Sequence, residues 1–261
     1  MEIYVKIHFL GTCAGTEPMP TRKHSSTAFE INDAFYFFDA GEGCSYTAHN
    51  MGLDLLKTRA VFISHPHLDH VGGLCNLLWT IRKLRYHYKN KTKFPEINIL
   101  IPTPETFEGV MKILKNSEDD FKCDFAVTSE RVTDGLIFDD GALRVSACHN
   151  YHLRNKNFEP WQSFSYKIEA EGKKIVYSGD VASYSELNSL IGDGCDALII
   201  ETGHFVIKDV YEYTKNKNVG KIFFTHNGRE IIFGTEECNQ RIKTLFGGNA
   251  TICEDGMTVE I

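Results

Sequence analysis

The stretch SHPHLDHVGG, residues 64–73, carries His65, His67, Asp69 and His70 within six positions. Imidazole and carboxylate groups at that density rarely serve packing; they are metal-ligand chemistry. Successive residues of an extended loop point in opposite directions, so His65 and His67 can face one way together. Asp69 and His70 then turn into the helix that follows. The layout suits two metal ions side by side, each taking its own subset of side chains. Nitrogen and carboxylate donors without thiolate fit zinc best, and manganese or iron are compatible.

The cluster stops an apolar run, RAVFISH, that reads as a buried strand. The residues after it, VGGLCNLLWTIRKLRYHY, place Leu74, Leu77, Leu78, Ile81 and Leu84 on one side of a helix. Upstream, VKIHFLG and STAFEI read as strands, and AFYFFDAG is an apolar run ending in a glycine turn. Downstream, INILIP is a strand and TPETFEGVMKILKNS a helix, with Thr103 as N-cap and Pro104 in the first turn. Short strands are expected around 122–129 and 142–148, and SFSYKIEAEGKKIVYSGD reads as a hairpin turning at Glu171–Gly172. SYSELNSLI is a short helix, CDALIIET a buried strand, VIKDVYEYTKNKN a helix and KIFFTH a strand. A helix near 236–245 and a final strand pair in ATICEDGMTVEI follow. Two β-rich halves with helices outside predict an α/β fold, a four-layer αββα sandwich. The strands of interest end at Asp39, His65, Asp180, Glu201 and His226, and strand ends are where an open sheet presents its ligands.

At 261 residues and 42% apolar composition the chain can bury a sizeable core, and it reads as a single domain over 1–261. A net charge of −7 excludes a general nucleic-acid sponge, because that binding rests on Lys and Arg neutralising phosphate. The opening MEIYVKIHFLG reads as a first strand rather than a signal peptide, and no apolar run approaches membrane-spanning length. Eight scattered cysteines without a C-x-x-C pair predict reduced thiols and a cytoplasmic protein.

The HPHLDH cluster resembles the H-x-H-x-D-H signature of the metallo-β-lactamase superfamily. The resemblance runs along almost the whole chain and in order. It takes in GTCAG (11–15), FFDAGEG (37–43), the cluster, a later histidine, YSGD (177–180) and FFTH (223–226). It implies one metal held by His65, His67 and a later histidine. A second is held by Asp69, His70 and His226, with Asp180 bridging both. VSACHNYH offers His149 and His152; the family spacing V-x-A-x-x-x-x-H, counted from Val145, favours His152. Asp39 would orient a ligand histidine through its other ring nitrogen, and Glu42 is a candidate for the same task. His8, His24, His49 and His87 read as structural or surface histidines, with His24 the nearest to the site by its loop.

Within the superfamily, GTCAGTEPMPTRKHSSTAFEI, FFDAGEG and IIETGHF resemble the ribonuclease Z-like phosphodiesterases. In that group a histidine associated with leaving-group protonation stands 22 positions before the last metal histidine, which is the spacing of His204 and His226. The resemblance thus implies a metal-dependent hydrolase in which a dinuclear-metal-activated hydroxide cleaves a phosphodiester. Asp69 would accept a proton or hydrogen bond, and His204, oriented by Glu201, would protonate the departing oxygen. Arg229, three residues past His226, is a candidate phosphate contact. The transfer-RNA-gripping arm of ribonuclease Z is missing between His152 and Asp180. The segment 103–141 carries Glu118, Asp119, Asp120 and Asp124 and is no RNA grip. The expected substrate is therefore a phosphodiester ranging from a small cyclic or ordinary nucleotide to RNA, with no membrane partner; family members often form homodimers. The alternative is a dinuclear-zinc hydrolase of another ester, lactonase, thioesterase or arylsulfatase-like. A diiron redox protein is disfavoured by His67 and by the chain length, and a metal-free scaffold by the intact ligand set.

Overall fold

In the computed structural model, residues 5–153 and 160–261 are described. Their β-branched and aromatic runs form two seven-stranded sheets. The first sheet is ordered β14 (Met257–Glu260), β1 (Lys6–Gly11), β2 (Ser26–Ile31), β3 (Ala34–Phe38), β4 (Thr58–Phe62), β5 (Glu96–Ile101) and β6 (Ala126–Arg131). The second is ordered β13 (Ala250–Ile252), β12 (Val219–Asn227), β11 (Cys195–Thr202), β10 (Lys173–Tyr177), β9 (Phe164–Ala170), β8 (Arg144–His149) and β7 (Gly135–Asp139). Each sheet is antiparallel in one half and parallel in the other: β3 to β6 in the first and β10 to β13 in the second.

Side-chain alternation sorts the apolar residues into three layers. Phe9, Phe29, Phe38, Phe62, Tyr166, Tyr177, Ile199 and Phe223 fill the space between the sheets. Phe37, Val61, Ile63 and Ile99 face outward onto Leu74, Leu77, Leu78 and Ile81 of the helix Leu74–Tyr88. Val176, Leu198, Ile200 and Phe224 face the opposite helical layer, which includes Ile207, Val210 and Ile242. Parallel strands buried on both faces read as unbroken apolar runs, as in CDALIIET and KIFFTH. The αββα sandwich expected from the sequence is the observed architecture.

The hairpin turns at Glu171 and Gly172, both with positive φ (51° and 72°), the conformation a two-residue type I′ connection requires. Two expectations are corrected. The final two strands are not a pair: β13 joins β12 in one sheet and β14 joins β1 in the other. Asp255, between them, accepts hydrogen bonds from the amides of Thr12 and Lys23, which fixes the crossing. The strand placed at 122–129 begins at Ala126, because Phe121 and Phe125 are spent plugging the helical layer. The edge strand β7 and the helix Cys44–Asn50 escaped the periodicity reading. Thr103 holds the N-cap position, but its hydroxyl bonds that of Thr106 at 2.9 Å rather than a backbone amide. No helix among the described residues is long and apolar enough to cross a membrane, and all eight cysteines are free of disulfides.

Candidate metal centre

The polar residues at the ends of β3, β4, β10, β11 and β12 meet between the two sheets. His65 and His67 follow β4, and the short helix Leu68–Val71 presents Asp69 and His70. Asp180 follows β10, while Glu201 and His226 are the penultimate residues of β11 and β12. His152 lies three residues past β8, in a turn where the buried Asn150 carboxamide oxygen accepts from the His152 amide at 3.1 Å.

His226 reaches the site through a β-bulge. Thr225 pairs with Glu201 and Asn227 with Thr202, so His226 is the extra residue, and its φ is +46°. A bulge re-aims a side chain that strict alternation would have sent elsewhere. The ladder gap lets Glu201 and His226 face the same pocket, with Glu201 Oε2 3.5 Å from His226 Nδ1.

Three-residue groups of potential ligand atoms, each group within 4.8 Å, are His65–His67–His152, Asp69–His70–His226 and His65–His70–Asp180. Asp180 stands between the first two. Its Oδ2 lies 3.8 Å from His65 Nε2, 3.6 Å from His152 Nε2 and 3.4 Å from His226 Nε2, and its Oδ1 lies 3.4 Å from His70 Nε2. All seven side chains expected to converge therefore do so. The fit to a divalent cation rests on the atoms themselves. His65 Nε2, His70 Nε2 and Asp180 Oδ1 are buried without a hydrogen-bond partner among the described residues, which buried polar groups seldom are.

The electrostatics point the same way. Burial alone would raise the Asp180 carboxyl, but His226 and His70 hold it well below the usual range. Burial alone would lower His226, but Asp180, Asp69 and Glu201 raise it to about 10. His70 is likewise held high, against burial, by Asp180 and Asp39. These buried carboxylates demand compensating positive charge, which a bound cation provides in place of ring protons.

A buried relay fixes the ring tautomers. Asp39, fully buried with φ +60°, accepts from the Ser64 amide (2.7 Å), the Ser64 hydroxyl (2.9 Å), His70 Nδ1 (2.8 Å) and the Tyr177 hydroxyl (2.8 Å). A carboxylate only accepts, so His70 carries its proton on Nδ1 and offers the Nε2 lone pair. Ser64 spends its single proton on Asp39, so its oxygen accepts from His65 Nδ1 at 3.0 Å and frees His65 Nε2 in turn. The sequence pointed to Asp39; Ser64 and Tyr177 escaped it, although both sit inside the quoted motifs. Glu42, also weighed for this role, instead lies 3.7 Å from His24 Nδ1.

His204 Nδ1 donates to Glu201 Oε2 at 2.7 Å, leaving Nε2 free, and the Val181 amide holds the other oxygen of Glu201 at 2.8 Å. The Glu201 bond raises the His204 pKa from its ordinary value. A pocket of about 340 Å³ opens over the cluster, lined among others by Thr16, Asp69, Asp180, His204, His226 and Arg229. His149 lies apart: its Nδ1 bonds Asp134 at 2.7 Å and its ring stacks on Trp161 at 4.0 Å. His8 bonds Thr258 and Glu30, and His24 the Thr16 carbonyl; His49 and His87 are exposed.

The pocket wall needs Gly203. A Cβ there would lie 2.5 Å from His226 Nδ1 and 2.9 Å from the Ala14 Cβ. Gly203→Ala should push the His226 ring off its place and lower metal affinity by about tenfold or more, the scale seen when a ligand's support is removed. Metal titration of the purified variant checks this; wild-type affinity would show that the wall yields.

Known proteins share this frame. Ribonuclease Z of Picrophilus torridus is 26% identical over 274 residues, covering 85% of each chain. Among solved structures, the metallo-β-lactamase fold protein YhfI of Bacillus subtilis superposes with a TM-score of 0.72 at 17% identity, over 99% of this chain and 100% of that one. A diphosphatase from the PhnP family gives 0.70 at 16% identity, over 100% and 98%. The fold is thus the metallo-β-lactamase fold, of the ribonuclease Z-like group. Residues 5–201 match the family described as "Anti-Pycsar protein Apyc1", and the chain belongs to that family.

Proposed function

We propose that the protein is a metal-dependent phosphodiester hydrolase. The observation that carries this reading is the shared position of Asp180 between two three-residue ligand groups, with a Glu201-oriented imidazole on the same pocket. His65, His67 and His152 would hold one divalent ion, Asp69, His70 and His226 a second, and Asp180 both; nitrogen and oxygen donors without sulfur favour zinc. Such ions supply a water of lowered pKa and counter-charge for phosphate oxygens.

The chain's own groups complete the reaction. Asp69 Oδ2, 3.1 Å from His226 Nε2, faces the pocket and takes a hydrogen bond or proton from the attacking water. As the new oxygen–phosphorus bond forms, the bond to the leaving oxygen breaks, and His204 Nε2 delivers its proton to that oxygen. Glu201 keeps the His204 ring turned with Nε2 toward the pocket. The products are a phosphomonoester and an alcohol. His204→Ala should lower turnover by about 10²–10⁴-fold, the usual scale for a general acid, while metal content stays at the wild-type level. An ester substrate with a good leaving group should be affected least.

Within the expected range, from small nucleotides to RNA, the charge distribution favours the small end. Arg82 and Lys83 bond Glu118, and Arg85 pairs with Asp124, so these helix cations are neutralised by the acidic residues of 118–124. Arg229 is the only Lys or Arg lining the pocket among the described residues. Small nucleotide phosphodiesters suit such a surface better than long RNA, whose binding needs several phosphate contacts. The test is metal analysis together with turnover of bis-p-nitrophenyl phosphate against p-nitrophenyl acetate, then cyclic nucleotides against precursor transfer RNA. Ester turnover without phosphodiester turnover would overturn the reading.

A further inference from the structure

Arg229 opens the short helix Arg229–Phe233, which Gly228 joins to the end of β12. Its guanidinium is already engaged: Nε donates to Glu17 Oε1 at 3.3 Å and Nη2 to Glu17 Oε2. Glu17 comes from the loop after β1. The base of that loop is clamped to β12, with the Ala14 amide donating to the Asn227 carbonyl (3.1 Å) and the Asn227 amide to the Thr12 carbonyl (2.7 Å). The clamp brings Glu17, the neighbour of the pocket-lining Thr16, against the pocket-lining Arg229, 212 positions away in the chain.

The other carboxylates at the pocket all bond ring nitrogens or lie beside them: Asp69 with His226, Asp180 among the ligand atoms, and Glu201 with His204. Glu17 touches only Arg229 among the pocket's charged residues. Its fork of two oxygens occupies the donors that would grip two oxygens of a phosphodiester, for which a guanidinium is equally shaped. Both side chains are more than half exposed (57% and 59%), and a water-exposed pair is held weakly enough to exchange.

From this, and resting on the phosphodiesterase reading, we propose that Glu17 is a built-in competitor for the substrate's phosphodiester. It occupies Arg229 in the free protein and must release it when substrate binds. Glu17 thereby sets substrate affinity and discriminates against ligands with too little negative charge to displace it.

The experiment compares wild type, Glu17→Gln, Arg229→Ala and the double variant, all metal-loaded. The readouts are steady-state kinetics with bis-p-nitrophenyl phosphate and calorimetric titration with inorganic phosphate. Glu17→Gln should lower KM about three- to fivefold with kcat unchanged, the scale of one exposed ion pair, and tighten phosphate binding by the same factor. Arg229→Ala should raise KM and weaken phosphate binding, and in that background Glu17→Gln should change neither. A raised KM or lowered kcat in Glu17→Gln would mean that the pair merely pins the loop, and the proposal fails. A gain of the same size without Arg229 also overturns it. Should wild type not turn over the phosphodiester at all, the functional reading fails, while the phosphate titrations still decide the competition for Arg229.

Discussion

Asp180→Asn should leave a folded protein with nearly no phosphodiester turnover. Among the described residues, Asp180 is the only one whose carboxylate lies among the ligand atoms of both candidate groups, so an amide there should weaken both at once. A metal's electrostatic contribution to such a transition state is several kcal/mol. About 4 kcal/mol of that corresponds to about 10³-fold in rate. The fold itself should hold, because asparagine keeps the side chain's volume and a polar atom facing the surrounding imidazoles. Bound metal should fall, and the far-UV spectrum should match wild type. Full metal occupancy with wild-type turnover would remove Asp180 from the proposed centre.

Asp39→Ala is expected to cost the most stability. The carboxylate is fully buried and receives four donors, from Ser64, His70 and Tyr177. Removing one side of a buried charged network costs about 3–5 kcal/mol, because the remaining groups lose their partner without regaining water. That is a large share of a total stability of about 5–15 kcal/mol. The midpoint of urea unfolding should drop accordingly with an unchanged slope. Metal affinity should fall by about 10–100-fold as well, because neither His65 nor His70 is then held to the tautomer with a free Nε2. Asp39→Asn separates the two effects: the volume is kept, but an NH₂ group now faces donors. A variant that loses metal affinity with little loss of stability would place the relay's importance in tautomer control alone.

The seven convergent side chains were legible because ligand chemistry is written in consecutive letters in HPHLDH and because parallel strands buried on both faces announce themselves as apolar runs. Asp180 and His226 stand where such runs end. What the letters did not carry is geometry that depends on partners far along the chain. Nothing in KIFFTHN marks His226 as a bulge residue; that follows from its pairing with Glu201 and Thr202. The positive φ of Asp39 is likewise invisible, though aspartate tolerates that region better than most residues. His149 and His152 are separated in the sequence mainly by family spacing, with only weak support from strand alternation, because the ligand candidate stands in a turn stabilised by Asn150. The last two strands read as a pair because adjacent strands usually are; here Asp255 sends one to each sheet.

That parting of β13 and β14 has a consequence for how the molecule is made. β1 pairs on one side with β14, joining Lys6 to Glu260, so this edge of the first sheet stays open until a strand far downstream in the chain has been made. Closing so distant a contact carries a slow, entropic penalty. The Asp255 bonds to Thr12 and Lys23 form in the same event, and the Thr12 backbone also pairs with Asn227, beside His226. Until β14 docks, the β1 edge lacks that partner strand, and the Thr12–Asn227 contact beside His226 lacks its Asp255 brace.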